Sequence, residues 1–205
     1  IGLPNLFIKR VLSKSTFTLF SSEEVPDLFD TYGDDEKFTE AYERYEANPK
    51  IRKKTLDANT IFNKLVKERV GTGRIYIHFV DNVNKQGMFD EPITQTNLCS
   101  EIFLPTRPMT FEGLNKTKYV DIDDYDLDDG MISLCILGCI NFGKLDKIEE
   151  LDRYTRLMVR FLDNLIDEQD YPMDATEWPT KGYRFLGIGI SDFAHFLAKN
   201  EAKLG

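Results

Sequence analysis

Apolar residues recur at helical spacing in several stretches of the chain, each bounded by residues that begin or end helices. One predicted helix begins at Asp34 or Asp35 and ends at Pro49. Another is closed by Gly71 and Gly73. The apolar face predicted for this second helix consists of Leu56, Ile61, Phe62, Leu65 and Val66.

The clearest amphipathic stretch predicts a helix from Asp146 to Asp167. Its apolar stripe consists of Leu151, Tyr154, Leu157, Met158, Phe161, Leu162, Leu165 and Ile166. Residues at this spacing lie along one side of a helix, so the simplest interpretation places the stripe in the core. A last helix is predicted after Ser191 or Asp192, since either side chain can cap it.

Short runs of β-branched and aromatic residues alternate with these helices and predict strands. The predicted strands are Arg74–Val80, Ser133–Phe142 and Arg184–Ile190, and Thr16–Phe20 is predicted as a strand or a turn. Irregular structure is expected around Pro26, and a turn near Asn84–Gly87. Strands separated by long helices predict an α/β fold with parallel strands and right-handed crossovers. No repeat or low-complexity linker interrupts the sequence, so we expect one segment, residues 1–205, without an internal domain boundary.

Composition and charge narrow the range of partners. The chain has 205 residues, 41% of them hydrophobic, and a net charge of −9. Nucleic acid is therefore not expected as a partner, because phosphate binding needs clustered Lys and Arg. No apolar run approaches the roughly 18 residues of a membrane span, and no basic and apolar leader is present. We expect neither membrane insertion nor secretion.

The three cysteines, Cys99, Cys135 and Cys139, are an odd number and form no CxxC pair. This pattern fits neither a secreted disulfide framework nor a structural zinc site. A reducing cytoplasm and no bound metal are therefore expected. The acidic stretch Asp121–Asp129 lacks the glycine and glutamate spacing of a calcium loop and is interpreted as a solvated loop. Gly187 and Gly189 lack the third glycine of a dinucleotide-binding fingerprint.

A polar loop from Asn97 to Glu101 holds the candidate chemistry. In an extended loop, Asn97, Cys99 and Glu101 would share one side, opposite Leu98, Ser100 and Ile102, because alternate residues point the same way. An amide, a thiol and a carboxylate would then be presented together. The amide could hold a hydroxyl in place, the thiol could act as nucleophile or hydrogen-atom donor, and the carboxylate could act as general base. By spacing alone, a catalytic and a purely structural loop both stay open. His78 is interpreted as a strand residue and His195 as a helix-surface residue, so neither suggests a cysteine protease.

Several segments in a fixed order carry a resemblance to a known family. The central ones read Arg-Ile-Tyr-Ile at 74–77, Thr-Asn-Leu-Cys-Ser-Glu-Ile at 96–102 and Leu-Pro-Thr-Arg-Pro at 104–108. Ser13–Tyr32, Asp163–Pro172 and Leu186–Gly189 flank them and also match. Along nearly its whole length, the chain resembles the catalytic large subunit of class I ribonucleotide reductase.

The resemblance implies a ten-stranded α/β barrel with the catalytic cysteine on an inner loop. Cys99 would become a thiyl radical and abstract the hydrogen atom at the 3′ carbon of the ribose. Glu101 would take the proton of the 3′ hydroxyl, and Asn97 would hydrogen-bond to the substrate. Leu98 and Ser100 would line the ribose together with these three residues.

The family also needs two reducing cysteines, which become a disulfide in each turnover. The resemblance assigns Cys135, within Ser-Leu-Cys-Ile-Leu, to the later of the pair, although by sequence alone a buried core cysteine is favoured. Cys139 matches no functional cysteine of the family and is expected in the core. The earlier reducing cysteine is expected upstream of Ile1.

The resemblance also implies partners outside this chain. A metal-containing small subunit would supply the radical, and thioredoxin or glutaredoxin would reduce the disulfide, so this chain itself needs no cofactor. The chain begins at Ile1 and ends at Gly205. We expect it to be a middle piece of a large subunit, without the N-terminal effector region and the C-terminal part, and to need those segments for stability. The alternative is a non-catalytic structural or assembly fragment of a split large subunit.

Overall fold

The computed structural model describes residues 1–87, 89–110 and 130–201. The chain divides into two compact units, Ile1–Thr106 and Arg107–Gly205. The predicted acidic loop at Asp121–Asp129 lies outside the described residues. None of the helices in the described ranges is long and apolar enough to cross a bilayer.

The first unit combines short strands with five α-helices and a short 3-10 helix (Ser22–Glu24) in its described residues. In chain order its elements are β1 (Gly2–Leu3), α1 (Asn5–Leu12), β2 (Thr16–Phe20), α2 (Pro26–Asp30), α3 (Asp35–Ala47), β3 (Lys53–Asp57), α4 (Ala58–Thr72), β4 (His78–Phe79) and α5 (Val80–Gln86). β5 (Thr106–Arg107) stands at the unit boundary. β1 pairs in parallel with β4, whereas β2 and β3 are antiparallel, so the expectation of uniformly parallel strands was wrong here.

Local sequence signals place the ends of two helices as predicted. The Asp34 side chain accepts a hydrogen bond from the Lys37 amide at 3.1 Å and caps α3. The helix ends at Ala47, two positions before Pro49. Gly73 adopts a left-handed φ of +66° directly after α4. Glycine takes this conformation without steric cost, so it closes the helix.

Four predictions in the first unit were wrong. Pro26 begins α2, since its fixed φ suits the first position of a helix. Leu56 belongs to β3, where it faces Phe17 of β2, and is not on a helix. The predicted strand 74–80 shrinks to His78–Phe79, because its partner β1 is itself two residues long. α5 covers residues 84–86 of the turn predicted at 84–87, and Gly87 follows the helix.

Tyr42 is the centre of the first unit's core, where 1% of its surface is exposed. Its hydroxyl donates to the Thr18 carbonyl at 3.0 Å and accepts from the Thr18 amide at 2.5 Å. Its ring stacks on Phe17 with centroids 4.9 Å apart. Burial raises the pKa of Tyr42 to about 12. A polar side chain thus holds strand β2 against helix α3 within an aromatic cluster.

The second unit contains a parallel strand pair covered by a long helix. Its described elements are β6 (Met131–Ile132), β7 (Ile136–Asn141), α6 (Glu150–Glu168), α7 (Asp174–Tyr183), β8 (Leu186–Ser191) and α8 (Phe193–Lys199). β7 and β8 pair in parallel, with Cys139 opposite Gly189. Two α-helices connect these parallel strands, as expected for an α/β fold. The prediction of an α/β fold is therefore confirmed for this pair of strands.

Helix α6 lies against one face of the β7–β8 pair. Ile136 packs with Leu162 and Ile166 in a buried cluster. A Cβ atom on Gly138 would lie 2.5 Å from the Met158 sulfur, so glycine permits the close approach of strand and helix. The predicted core stripe is only half right. Leu162 and Ile166 are buried, whereas Phe161 remains 63% exposed, because a two-stranded sheet is too narrow to cover the whole stripe.

Arg184 fixes the junction between helix α7 and strand β8. It has a left-handed φ of 52° at the end of α7. Its guanidinium donates to Asp163 at 2.6 Å and to Asp167 at 2.9 Å, both on α6. These ion pairs hold the entry of β8 against α6, and their carboxylates raise the pKa of Arg184 further above its usual range.

Candidate active site

The residues from Asn97 to Ser100 form a tight turn. The Ser100 amide donates to the Asn97 carbonyl at 3.1 Å, and Leu98 and Cys99 occupy the two central positions. Ser100 has a left-handed φ of +59°, which is uncommon for a residue with a side chain. Cys99 therefore stands at the tip of a turn, with its side chain exposed.

Thr96 and Asn97 hold the two ends of this turn together. The Thr96 hydroxyl donates to the Ile102 carbonyl at 2.7 Å. The Asn97 Oδ1 atom accepts from the Ile102 amide at 3.1 Å, and the Asn97 amide donates back to the Ile102 carbonyl at 3.3 Å. The main-chain carbonyl and the main-chain amide of Ile102 are thus each hydrogen-bonded to a side chain. We call this set of three bonds the loop brace.

The prediction of an extended loop with alternating faces was wrong. Asn97 directs its Oδ1 atom into the loop brace and is half-buried, whereas Cys99 and Glu101 are exposed. Leu98, expected on the opposite side, is 93% exposed and adjoins Cys99. Asn and Ser side chains compete with strand pairing by bonding to nearby main-chain groups, which favours a turn. The structure leaves thiol and carboxylate both open to solvent.

The loop forms one wall of a cavity of about 820 Å³ in the first unit. Asn97, Leu98 and Ser100 line it, and Cys99 and Glu101 do not. Much of the remaining lining is aromatic and comes from Phe17, Phe20, Phe29, Tyr32, Phe38, Tyr42 and Tyr76. The turn therefore has two sides, one toward this cavity and one that carries the thiol and the carboxylate.

The two histidines occupy the predicted settings. His78 lies in β4 beside Phe103, with ring centroids 5.5 Å apart. Burial, followed by the positive charge of the Ile1 amino group, lowers the pKa of His78. Within residues 1–87, 89–110 and 130–201, neither of its ring nitrogens meets a hydrogen-bond partner. His195 is exposed on α8, with its Nδ1 atom 3.1 Å from an Asp192 carboxylate oxygen.

Cys135 directly precedes strand β7, and its side chain is exposed. Ile136 and Ile140 of this strand are buried on the α6 side, whereas Leu137 is 50% exposed. Cys139 is also exposed and lines a groove of about 430 Å³ with residues of α6, so its expected place in the core was wrong. The buried alternative for Cys135 is likewise not what the structure shows.

Sequence reasoning missed the part of Thr96 and Ile102 in holding the turn. A signal was present, because Thr followed by Asn is a pair whose side chains commonly bond to main-chain groups of turns. Nothing in the sequence alone marked Ile102 as the partner, since its part is played by main-chain atoms.

Comparison with known proteins places this loop in a family context. The model of the ribonucleotide reductase barrel domain matches residues 1–205. The chain belongs to the ribonucleotide reductase barrel-domain family. Within it, the chain is 42% identical over 204 residues to the ribonucleoside-diphosphate reductase subunit alpha of Haemophilus influenzae, covering 98% of this chain and 25% of that protein.

Other ribonucleotide reductases show similar likeness. The Escherichia coli strain K12 protein named ribonucleoside-diphosphate reductase 1 subunit alpha is 39% identical over 204 residues, which cover 98% of this chain and 25% of that protein. Subunit alpha of Enterobacteria phage T4 is 36% identical over 207 residues, covering 98% and 26%. The chain thus spans about a quarter of the length of the curated relatives it matches, and the resemblance found in its sequence is confirmed.

Proposed function

We propose that this chain is a segment of a ribonucleoside-diphosphate reductase large subunit and supplies its radical-bearing cysteine. The observation that carries the proposal is the exposed Cys99 thiol at the tip of a turn held by the loop brace. Relatives that match nearly the whole chain bear the name of this enzyme. The substrate is a ribonucleoside diphosphate, and the product is its 2′-deoxy form.

Cys99 starts and ends the reaction. Its thiyl radical takes the hydrogen atom from the 3′ carbon of the ribose, so the sulfur becomes a thiol and the carbon a radical. At the end of turnover the hydrogen atom returns to that carbon and the thiyl radical is restored. A thiyl radical must be kept from water and stray hydrogen donors, which a barrel enclosing the loop would exclude.

Glu101 and Asn97 act on the hydroxyl groups of the ribose. Glu101 is exposed two positions after Cys99, where its carboxylate can take the proton of the 3′ hydroxyl. The Asn97 Oδ1 atom is engaged with Ile102, so its Nδ2 atom is the group that donates to a substrate oxygen. Leu98 and Ser100 are the other two residues proposed to contact the ribose, and in the structure they line the cavity side of the turn.

Cys135 supplies electrons together with a second thiol of the large subunit. Replacing the 2′ hydroxyl by hydrogen takes two electrons and two protons, and the hydroxyl leaves as water. Oxidation of two thiols to one disulfide provides both, and thioredoxin or glutaredoxin then reduces the disulfide. Exposure of Cys135 immediately before strand β7 supports this role.

The surrounding architecture proposed is a ten-stranded α/β barrel that encloses the Asn97–Glu101 loop. The β7–β8 pair, with helix α6 on one face, supplies two of its parallel strands. Its opposite face, which carries the half-exposed Leu137, would then point to the barrel interior, as inward-facing residues do in α/β barrels. A separate metal-containing small subunit provides the radical, effector nucleotides bind elsewhere in the large subunit, and the cytoplasm supplies the reducing conditions.

The test compares Cys99→Ser with native protein in the complete large subunit, mixed with its small subunit and a dithiol reductant. Reduction of a nucleoside diphosphate should disappear in Cys99→Ser, because serine cannot carry a sulfur radical. Cys139→Ser is the matched control and should retain activity. Binding of the small subunit, measured by sedimentation, should persist in both variants.

Two outcomes would count against the proposal. Native turnover in Cys99→Ser would remove the radical role from this residue. Inactivity of the native subunit itself, despite correct assembly, would favour the alternative of a non-catalytic structural segment.

A further inference from the structure

The Asn84 side chain ties helix α5 to the segment just before the Asn97–Glu101 turn. The Asn84 Oδ1 atom accepts from the Ile93 amide at 2.7 Å, and the Nδ2 atom donates to the Ile93 carbonyl at 2.8 Å. The same Nδ2 atom donates to the Val80 carbonyl at 3.0 Å. We call these three bonds the Asn84 clamp.

The chemistry of the clamp is specific to an asparagine side chain. One amide group pairs with both main-chain groups of Ile93, as the main chain of a neighbouring strand does. An aspartate of the same shape keeps the acceptor but turns a carboxylate toward the carbonyls of Ile93 and Val80. Alanine removes all three bonds and leaves main-chain groups of the buried Ile93, 3% exposed, without this partner.

Gly33 packs closely against the side-chain amide of Asn84. Gly33 has a φ of +102°, and a Cβ atom at this position would lie 2.6 Å from the Asn84 Nδ2 atom. Both the positive φ and the close approach require glycine. Val80 beneath the clamp is buried, with 1% of its surface exposed. The clamp is therefore closely packed against Gly33 and Val80.

The clamp lies immediately upstream of the loop brace. Thr94 and Gln95 join Ile93 to Thr96, where the brace to Ile102 begins. Beyond Ile102, the Phe103 ring rests edge-on against His78. The brace closes the turn on itself, but it does not tie the turn to a helix. The Asn84 clamp does so, and it thereby sets where the turn stands in the first unit.

We propose that Asn84 is a positioning residue for the Cys99 loop in ribonucleotide reduction. This inference rests on the proposed function, because it assigns Asn84 a part in placing a thiol that takes hydrogen from substrate. Asn84 touches no reacting atom; it acts through Ile93. Displacement of a reacting group by about 1 Å can lower the rate about 100-fold. Loss of the Asn84 clamp, which would let the Cys99 loop shift, should therefore lower kcat.

The experiment uses the complete large subunit with its small subunit and a nucleoside diphosphate. Asn84→Ala should lower kcat by about 10-fold to 100-fold with KM nearly unchanged, because transition-state geometry suffers more than binding. Asn84→Asp, which keeps the size and the acceptor, should fold and show an intermediate loss. Asn82→Ala is the matched control on the same helix. Asn82 is exposed, and within the described residues its side chain makes one hydrogen bond, accepted from the Asn5 side chain at 3.4 Å.

A structural readout separates positioning from folding. Hydrogen exchange at the Ile93 amide should accelerate in Asn84→Ala, remain slow in Asn84→Asp, and stay native in Asn82→Ala, with α3 protected in all three. Losses of kcat that match equal losses of folded protein would overturn the inference, as would kcat values equal to that of Asn82→Ala. If Cys99→Ser is inactive while both Asn84 variants are fully active, the positioning role fails and the proposed function stands. Native activity of Cys99→Ser would instead refute the proposed function.

Discussion

The two units hold their candidate cysteines by different means. In Ile1–Thr106, Cys99 stands on a turn whose shape depends on polar side chains, above all Thr96 and Asn97. In Arg107–Gly205, Cys135 precedes a parallel strand whose placement depends on apolar packing against α6. A polar substitution should therefore disturb the first setting, and loss of core volume the second.

This difference explains where alternation along the chain is informative. In β7, a period of two correctly separates buried Ile136 and Ile140 from exposed Leu137. In the Cys99 loop the same period fails, because hydrogen bonds to Ile102 close the chain into a turn. Alternation describes side chains only where a neighbouring strand keeps the main chain extended.

The largest expected effect concerns Cys135 in the second unit. Cys135→Ser should abolish sustained nucleoside diphosphate reduction, because a serine cannot form the disulfide that supplies two electrons. Product formed per large subunit, with excess thioredoxin, is the measurement. Leu137→Ala, two positions along, is the matched control and should sustain turnover. Repeated turnover in Cys135→Ser would show that another thiol serves, and would end the comparison with Cys99.

A smaller effect is expected from the packing beneath that strand. Ile166→Ala removes a buried side chain, 0% exposed, and should destabilise the second unit by about 2–5 kcal/mol. Hydrogen exchange of the α6 amides in the complete large subunit measures this free energy. Tyr154→Ala is the control on the same helix, because Tyr154 is 42% exposed. An equal loss in the control would show that other parts of the subunit cover that side.

The corresponding polar test in the first unit is Tyr42→Phe. It deletes a hydroxyl that both donates to and accepts from Thr18, and should cost about 1–3 kcal/mol while the aromatic packing remains. Exchange of the β2 amides measures the loss. A change near zero would mean that packing alone holds this core.

Tyr42 also gives a pH dependence with a definite sign. Its folded pKa of about 12 lies above the ordinary value of 10.0 because burial disfavours the phenolate. Its contribution to stability is therefore fully present below pH 10 and is lost as pH rises through 12. The fall of stability with pH in that window should be less steep in Tyr42→Phe than in the native protein. An unchanged fall would mean that other groups cause the pH dependence.

The smallest effect is expected from Thr96→Val, which keeps the shape but removes the hydroxyl bond to Ile102. We expect a local cost of about 1 kcal/mol and a fall in kcat without a change in the melting temperature of the subunit. Thr94→Val, outside the loop brace, is the control. A fall in melting temperature as large as that of Tyr42→Phe would show that the turn is part of the core after all.

The sequence determined what depends on neighbouring residues along the chain. Asp34 and Gly73 bound helices as predicted, because caps act within a few residues. Thr16–Phe20 is a strand as its composition predicts, and the order of motifs around Cys99 indicated the family. The longest helix was also predicted, since its apolar period is strong.

Only the tertiary structure decided the features that need distant partners. Which half of the α6 stripe is buried depends on the width of the sheet beneath it, and Leu56 is in a strand because Phe17 pairs with it. The Asn84 clamp joins residues nine positions apart through main-chain atoms that have no sequence signature. Main-chain hydrogen-bonding groups are the same in every residue but proline, so their partners become known only when the chain is folded.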